Sequence, residues 1–168
     1  MNPIDIASHL RSDIDRATIA AGLHKISGGH HMSYRFPSSE WIRELSRLLN
    51  ESSSYEGSAK DWEGDFIFVV EPDGALSEEA YLFLGLLHGK SPDAALLSSA
   101  DERPAEYIIR APYSVWRKVI DAELDPIQGM MMRKLKLEGN LMKIMRYPKA
   151  AKEIVSCCAN VPTDWPAG

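Results

Sequence analysis

Cysteine is scarce in this chain: its 168 residues include two, Cys157 and Cys158, and these are neighbours. Adjacent cysteines cannot cross-link distant segments, so the sequence excludes a disulfide framework and indicates a reducing compartment. We expect one of the two to pack inside and the other to be exposed. Long apolar runs are missing as well, since the longest, over residues 66–70 and 81–87, fall far short of the roughly 20 residues that a membrane-spanning helix needs.

Aromatic residues are absent from the first 32 positions, whereas all 14 lie from Tyr34 onward. This break in composition predicts a folded domain over residues 32–168 preceded by an N-terminal extension over residues 1–31. Apolar residues at three- and four-residue steps are compatible with an amphipathic helix over residues 3–21, although the extension could equally be a non-native segment. The basic and apolar regions of a secretory signal are lacking, so a cytoplasmic protein is expected.

Known catalytic and metal-binding patterns are also missing. We find no serine elbow, no paired zinc-binding histidines and no calcium loop. Gly85, Gly89, Lys90 and Ser91 resemble a phosphate-binding loop, but three residues separate the glycines where that motif needs four, so a turn between strands is the better interpretation. Four of the five histidines lie in the extension without the spacing of metal ligands. The sequence therefore predicts no enzyme activity, no cofactor and no metal.

Charge is distributed unevenly along a chain whose formal net charge is −5. Residues 33–109 carry 15 acidic and 6 basic side chains, whereas residues 133–152 carry seven basic side chains against Glu138 alone. A basic segment on an acidic molecule could attract anionic lipid headgroups or an acidic protein, or could simply be a solvated face. Nucleic acid is not expected as a partner, because the segment lacks paired exposed aromatic residues on strands and the sequence pI is about 5.5.

Hydrophobic periodicity and turn residues predict an α+β domain. Ser38 and Ser39 precede an apolar stripe of helical period, which predicts a helix over residues 39–50, and the polar run that follows predicts a loop over residues 51–58. The order of the remaining elements is strands over 62–71, 80–88, 94–99 and 106–111, helices after Pro112 and from Pro126, a strand over 134–138, and helices over 141–145 and 148–158. Short connections suggest that the first four strands form an antiparallel meander.

Methionine is concentrated near the C-terminal end, where five of the seven fall within sixteen residues: Met130, Met131, Met132, Met142 and Met145. Because methionine is flexible and polarizable, such a cluster suits a cavity for an apolar ligand, but it could also fill an ordinary core. Three consecutive methionines on a helix cannot all face inward, since successive residues are about 100° apart. At least one is therefore expected near a surface or an opening.

Residues 107–147 resemble the second half of the sterol carrier protein domain, the nonspecific lipid-transfer family. The resemblance lies in a strand, a helix with Trp116, the Asp125–Pro126 pair, and a lysine-alternating strand that ends at Gly139 before an apolar helix. Arg133 stands where the family usually has a glycine, a departure at that turn. With a weaker likeness in the preceding strands, the resemblance covers about residues 39–147.

The resemblance implies a five-stranded, mainly antiparallel sheet covered by helices, with an apolar tunnel for fatty acyl chains, sterols or isoprenoids and no catalysis. Burying about twelve methylenes at roughly 0.8 kcal/mol each would contribute about 10 kcal/mol before ordering costs, so binding needs no polar contact. We predict that the following residues line the tunnel: Phe66, Phe68, Leu82, Leu84, Trp116, Ile120, Met130, Met131, Leu141, Met142 and Met145.

Residues 148–158 carry apolar side chains on one side and lysines on the other, which suits a lid over the tunnel that touches membrane headgroups. The residues predicted to contact the membrane are Lys143, Arg146, Lys149 and Lys152. Two function classes remain open at this point. The first is a carrier of apolar lipids, and the second is an accessory subunit that presents an apolar substrate to a separate lipid- or quinone-metabolising enzyme.

Overall fold

The computed structural model describes residues 33–166, so the predicted extension over residues 1–31, with its possible helix and its histidines, lies outside the described residues. The elements are β1 (Tyr34–Arg35), α1 (Ser39–Glu51), α2 (Ser53–Ser58), β2 (Phe66–Glu71), β3 (Ala80–Leu84), β4 (Ala94–Leu97), β5 (Tyr107–Pro112), α3 (Tyr113–Ile120), α4 (Pro126–Met131), β6 (Lys136–Glu138), α5 (Leu141–Met145), α6 (Pro148–Asn160) and β7 (Thr163–Asp164). This confirms the α+β class and the five-stranded, mainly antiparallel sheet.

The strand order of the sheet is β4-β3-β2-β5-β6. β2, β3 and β4 form an antiparallel meander in which Leu82 lies opposite both Phe68 and Leu96. β5 does not continue it, because it lies on the other side of β2 and runs parallel to β2. The prediction of a four-stranded meander is therefore wrong at its last strand: β4 and β5 run in the same direction, so residues 98–106 cross the sheet between them.

This crossover segment covers one face of the sheet. Ile67, Val69 and Phe83 point to that face and are buried. The Arg103 guanidinium lies over the Phe83 ring, 3.9 Å from its centroid, and donates to Asp93 at 2.6 Å. A cation over an aromatic face and a charged hydrogen bond both fix the crossover on the sheet. The alternate strand residues point to the opposite face, which the helices cover.

The helix α1 begins where its capping residue predicts. The Ser38 hydroxyl accepts a hydrogen bond from the Trp41 backbone N–H at 3.1 Å, and the apolar stripe that follows is buried against the sheet. The prediction of a loop in the next segment is wrong, because α2 forms there. Ser52 caps α2 through the Tyr55 N–H, and the ring of Tyr55 is buried, so a short polar sequence becomes helical through capping and packing.

The segment from α4 to α5 follows the predicted pattern. Asp125 caps α4 by accepting from the Gln128 N–H at 3.0 Å, and β6 pairs with β5 at the edge of the sheet. Arg133, at the position where the family usually has a glycine, adopts a φ of 60°, the left-handed conformation that favours glycine. The turn therefore has a backbone shape that suits glycine although arginine occupies it.

The strands β1 and β7 form a two-stranded parallel sheet that the sequence did not predict. Its strands are two residues long, too short for an alternation pattern to be visible, and they pair Tyr34 with Thr163. The Trp41 indole N–H donates to the Thr163 hydroxyl at 2.9 Å. These contacts attach the chain that follows α6 to the start of α1.

Candidate functional site

An apolar cavity of about 100 Å³ lies between the sheet and the helices. The sheet contributes alternate residues of β2 and one residue each of β3 and β5, while the helical wall comes from α1, α3, α4, α5 and α6. The lining residues are Phe36, Trp41, Leu45, Phe66, Phe68, Val70, Leu82, Ile109, Trp116, Val119, Ile120, Pro126, Met130, Leu135, Ile144, Ala151, Ile154, Val155 and Cys158. None of these side chains carries a charge, so the space is suited to hydrocarbon.

Six of the eleven predicted tunnel residues line this cavity, namely Phe66, Phe68, Leu82, Trp116, Ile120 and Met130. The other five do not line it. Leu84 is buried elsewhere in the same core, and Leu141 is half-buried against it. Met131, Met142 and Met145 are exposed.

The methionine pattern alone does not fix which side chain faces inward. α5 is five residues long, and among them Ile144 is the residue that reaches the cavity. On α6 the inward positions are Ala151, Ile154, Val155 and Cys158, and the first three form the apolar side of the segment predicted as a lid. Most of the lining residues that the sequence did not predict lie after Ile109, such as Leu135 and Ile144, and a smaller group lies towards the N-terminal end. Trp41 belongs to the smaller group, and its only signal is its place in the apolar stripe of α1.

The two indoles in the wall contribute apolar surface because their polar atoms are satisfied elsewhere. The Trp116 N–H donates to the Val69 carbonyl oxygen at 2.9 Å, and the Trp41 N–H donates to Thr163. Burial raises the pKa of the Cys158 thiol well above its ordinary value, so at neutral pH this side chain is a neutral thiol. The cavity therefore offers dispersion contacts and no strong polar group to orient a ligand.

Both cysteines are buried, so the expectation that one would be exposed is wrong. They point to different surroundings, as neighbours on a helix must. Cys158 lines the cavity, whereas Cys157 lies near Ser52 and Tyr55 at the contact between α2 and α6. Burial raises the pKa of the Cys157 thiol too, and it also raises the pKa of the Tyr55 hydroxyl.

A second apolar cavity of about 40 Å³ lies next to the first, beneath α5 and α6. Four residues line both cavities: Phe66, Ile144, Ala151 and Ile154. The two spaces are thus separated by side chains of one strand and two helices, of which Ile144 and Ile154 can change rotamer without breaking a hydrogen bond.

The helix α6 is held against the cavity by apolar contacts. Within residues 33–166, no side chain of α6 forms an ion pair, and its one polar side-chain contact with another element joins the Cys157 thiol to Ser52, the cap of α2. The chain on either side of α6 is fixed by polar contacts instead. After α6, β7 pairs with β1, and before α6, the Lys143 ammonium donates to the Glu63 carbonyl oxygen at 2.6 Å and to the Glu106 carboxylate at 2.9 Å.

The four residues predicted to contact a membrane thus divide into two groups. Lys143 is engaged by Glu106 and lies over the Trp62 ring, 5.0 Å from its centroid. Arg146, Lys149 and Lys152 are exposed and form no ion pair with another described residue. Lys143 therefore clamps α5 to the body of the domain, whereas the other three are available to solvent.

Replacing Lys143 with methionine tests the clamp. We expect Lys143→Met to lower the free energy of unfolding by about 1 kcal/mol, because it removes a charge-assisted bond to a backbone oxygen and a partly exposed ion pair. Lys149→Met, a matched change at an exposed lysine with no partner in the described chain, should leave stability within about 0.5 kcal/mol of the parent. Equal urea midpoints for the two variants would show that the Lys143 contacts do not stabilise the fold.

Two kinds of feature are absent from the part of the chain that the structure describes. No three His, Cys, Asp or Glu side chains gather there in a way that could hold a metal ion. Each helix in that part is too short or too polar to cross a bilayer. The loop that resembles a phosphate-binding motif is a turn after β3. In this turn the Lys90 ammonium donates a hydrogen bond to the Glu56 carboxylate at 3.1 Å. The Ser91 backbone N–H donates to the side-chain oxygen of Asn50, and the Ser91 hydroxyl accepts from the hydroxyl of Ser46, both on α1.

Comparison with known proteins gives one family. A profile described as the SCP-2 sterol transfer family matches residues 43–152. The crystal structure of sterol carrier protein 2 is similar to the chain at 29% identity with a TM-score of 0.68, covering 74% of this chain and 97% of that one. No curated protein sequence matches the chain.

Two further structures share the fold. The solution structure of a conserved hypothetical protein from Thermus thermophilus, possibly a sterol carrier protein, is 28% identical with a TM-score of 0.70 and covers 80% of this chain and 93% of its own. The sterol carrier protein domain 2 of Helicoverpa armigera is 14% identical with a TM-score of 0.52, covering 75% of this chain and 96% of its own, and supports the fold alone.

Proposed function

Because the chain belongs to the SCP-2 sterol transfer family, we propose that it binds apolar lipids beneath its sheet and carries them without a chemical step. Fatty acyl, sterol-like and isoprenoid molecules are the candidate ligands. The observation that carries this proposal is the cavity between sheet and helices, whose lining is apolar on every side. The two free thiols of the chain, Cys157 and Cys158, fit a role in a reducing compartment such as the cytoplasm.

The cavity must grow to hold such a ligand. A cavity of about 150 Å³ accommodates benzene, and ordinary ligand pockets occupy about 300 Å³ or more. The first cavity, of about 100 Å³, is smaller than both. Joining it to the neighbouring space of about 40 Å³ would lengthen it along the sheet, but an acyl chain of about twelve carbons still requires one wall to move.

The helix α6 is the wall best suited to move. It contributes Ala151, Ile154, Val155 and Cys158 to the cavity, and apart from the contact between Cys157 and Ser52 it is held in place by apolar contacts. Such contacts have no preferred direction, so a ligand that fills the space can replace the contacts that α6 loses. The polar contacts of Lys143 and of β7 lie on either side of α6, so the helix can shift outward while the chain remains attached at both ends.

Native mass spectrometry of the purified chain tests the proposal. We expect copurified acyl, sterol-like or isoprenoid ligand, and after its removal we expect a fluorescent fatty acid to bind with a change in the emission of Trp41 and Trp116, which line the cavity. A chain that is empty after purification and binds no apolar probe would contradict a carrier. If such an empty chain held a stable partner enzyme, the accessory role would be favoured instead.

A further inference from the structure

We propose that the surface formed by α4, α5 and the start of α6 docks on an anionic lipid bilayer. The inference rests on the proposed function, because it assigns the place where the apolar ligand is exchanged. The surface, called here the methionine face, consists of exposed apolar and exposed basic residues: Met131, Met132, Arg133, Lys134, Lys136, Met142, Met145, Arg146, Lys149 and Lys152.

The apolar part of the methionine face is unusual for a surface. Four of its methionines are between 39% and 66% exposed, and they make up most of the large apolar residues that the described part of the chain exposes. α4 and α5 lie together, because Met130, Arg133 and Leu141 line one surface groove. The groove thus joins the end of α4 to the start of α5, the two helices that carry the exposed methionines. Their flexible thioether side chains can enter the disordered boundary between headgroups and acyl chains.

The charge of the face selects the partner. The cations of the face lie on the same stretch of chain as the methionines and form no ion pair with another described residue; they are Arg133, Lys134, Lys136, Arg146, Lys149 and Lys152. Glu138 and Glu153 are the acidic residues beside them, whereas the acidic side chains of the molecule are concentrated before residue 110. Exposed apolar side chains combined with an excess of positive charge match a bilayer that contains acidic phospholipid, and each cation near such a surface strengthens binding about fivefold.

The methionine face and the cavity wall are formed by the same helices. Met130 lines the cavity while its neighbours Met131 and Met132 are exposed, and Ile144 lines it while Met142 and Met145 are exposed. On α6, Ala151 and Ile154 face the cavity while Lys149 and Lys152 face solvent. The methionine face is thus the outer side of the helices whose inner side is the cavity wall, so docking would bring the movable wall against the bilayer.

Cosedimentation of the full chain with vesicles tests the assignment. We expect binding to phosphatidylcholine vesicles that contain phosphatidylserine, weak binding to pure phosphatidylcholine, and loss of binding as salt rises from about 0.1 to 1 M, where the screening length falls from about 10 to 3 Å. Met142→Gln with Met145→Gln should weaken binding about tenfold. Lys149→Gln with Lys152→Gln should weaken it about 30-fold.

Matched controls separate the face from general surface properties. Leu87 and Leu96 are 47% and 45% exposed and lie outside the face, so Leu87→Gln with Leu96→Gln removes a similar amount of exposed apolar surface. Lys60→Gln with Lys118→Gln makes the same change in net charge away from the face. Both control variants should bind vesicles as the parent does. Equal weakening by face and control variants would overturn the proposal.

Binding of a fluorescent fatty acid, measured without vesicles, keeps this inference separate from the proposed function. Variants that bind the fatty acid normally but not the vesicles support the methionine face. If the parent binds the fatty acid and ignores acidic vesicles, the docking proposal fails while the carrier proposal stands. If size measurements show a dimer that the face variants convert to a monomer, the face is covered by a second copy and the membrane assignment is overturned.

Discussion

Replacing Ala151 with phenylalanine is expected to lower the affinity for a dodecyl chain about 200-fold. Ala151 lies on α6 and lines both cavities, so a larger side chain there occupies the space in which they join. A phenyl ring would displace about four methylenes of the ligand, and at about 0.8 kcal/mol for each buried methylene the loss is about 3 kcal/mol. Titration of the purified variant with a fluorescent fatty acid measures the effect.

Ala159→Phe is the matched control. Ala159 is on the same helix but exposed and is not among the cavity residues, so the same substitution adds the same ring to solvent. We expect parent-like affinity for this variant. Unchanged affinity in Ala151→Phe, with a folded protein by circular dichroism, would mean that the ligand binds elsewhere.

Replacing Gly139 with alanine is expected to lower the free energy of unfolding by about 3 to 5 kcal/mol, through a steric clash added to backbone strain. Gly139 ends β6 with a φ of 132°, and a Cβ atom there would overlap the buried ring of Tyr107. That ring is packed against Phe66 and Trp62, with centroids 4.9 and 5.6 Å away, so it has little room to shift. Chemical denaturation measures the change.

Gly74→Ala is the comparison at a positive φ without a clash. Gly74 also has a positive φ, 57°, but a Cβ atom there would meet nothing within 4 Å. This variant should lose about 1 to 2 kcal/mol from backbone strain alone. Equal losses at the two positions would show that the approach of β6 to Tyr107 is looser than the structure indicates.

Local signals in the sequence are sufficient to predict most of the helices and strands. Ser38 and Asp125 cap the helices that they predict, and Gly139 ends the strand that it is expected to end. These signals work because a cap or a turn depends on a few neighbouring residues. The same reasoning fails at α2, where burial of Tyr55 stabilises a helix that the polar sequence does not predict.

Strand direction and side-chain orientation are harder to predict. The direction of β5 depends on a crossover, and Arg103, which holds that crossover over Phe83, carries no sequence signal for the role. The methionine cluster identifies the right region, but α4 and α5 are so short that each presents few inward positions. Met130 and Ile144 occupy those positions because of how the helices pack against the sheet. The helical periodicity of the sequence alone cannot distinguish these two residues from their apolar neighbours.

If the chain carries lipids as proposed, an outward shift of α6 enlarges the space beneath the sheet enough for a lipid tail. A crystal structure of the chain with a bound twelve-carbon fatty acid tests it most directly. We expect a pocket of about 300 Å³ or more, with the tail between Trp116 and Ile154 and α6 displaced while β7 stays paired with β1. A fatty acid bound outside that space, with the cavity still near 100 Å³ and α6 unmoved, would contradict it.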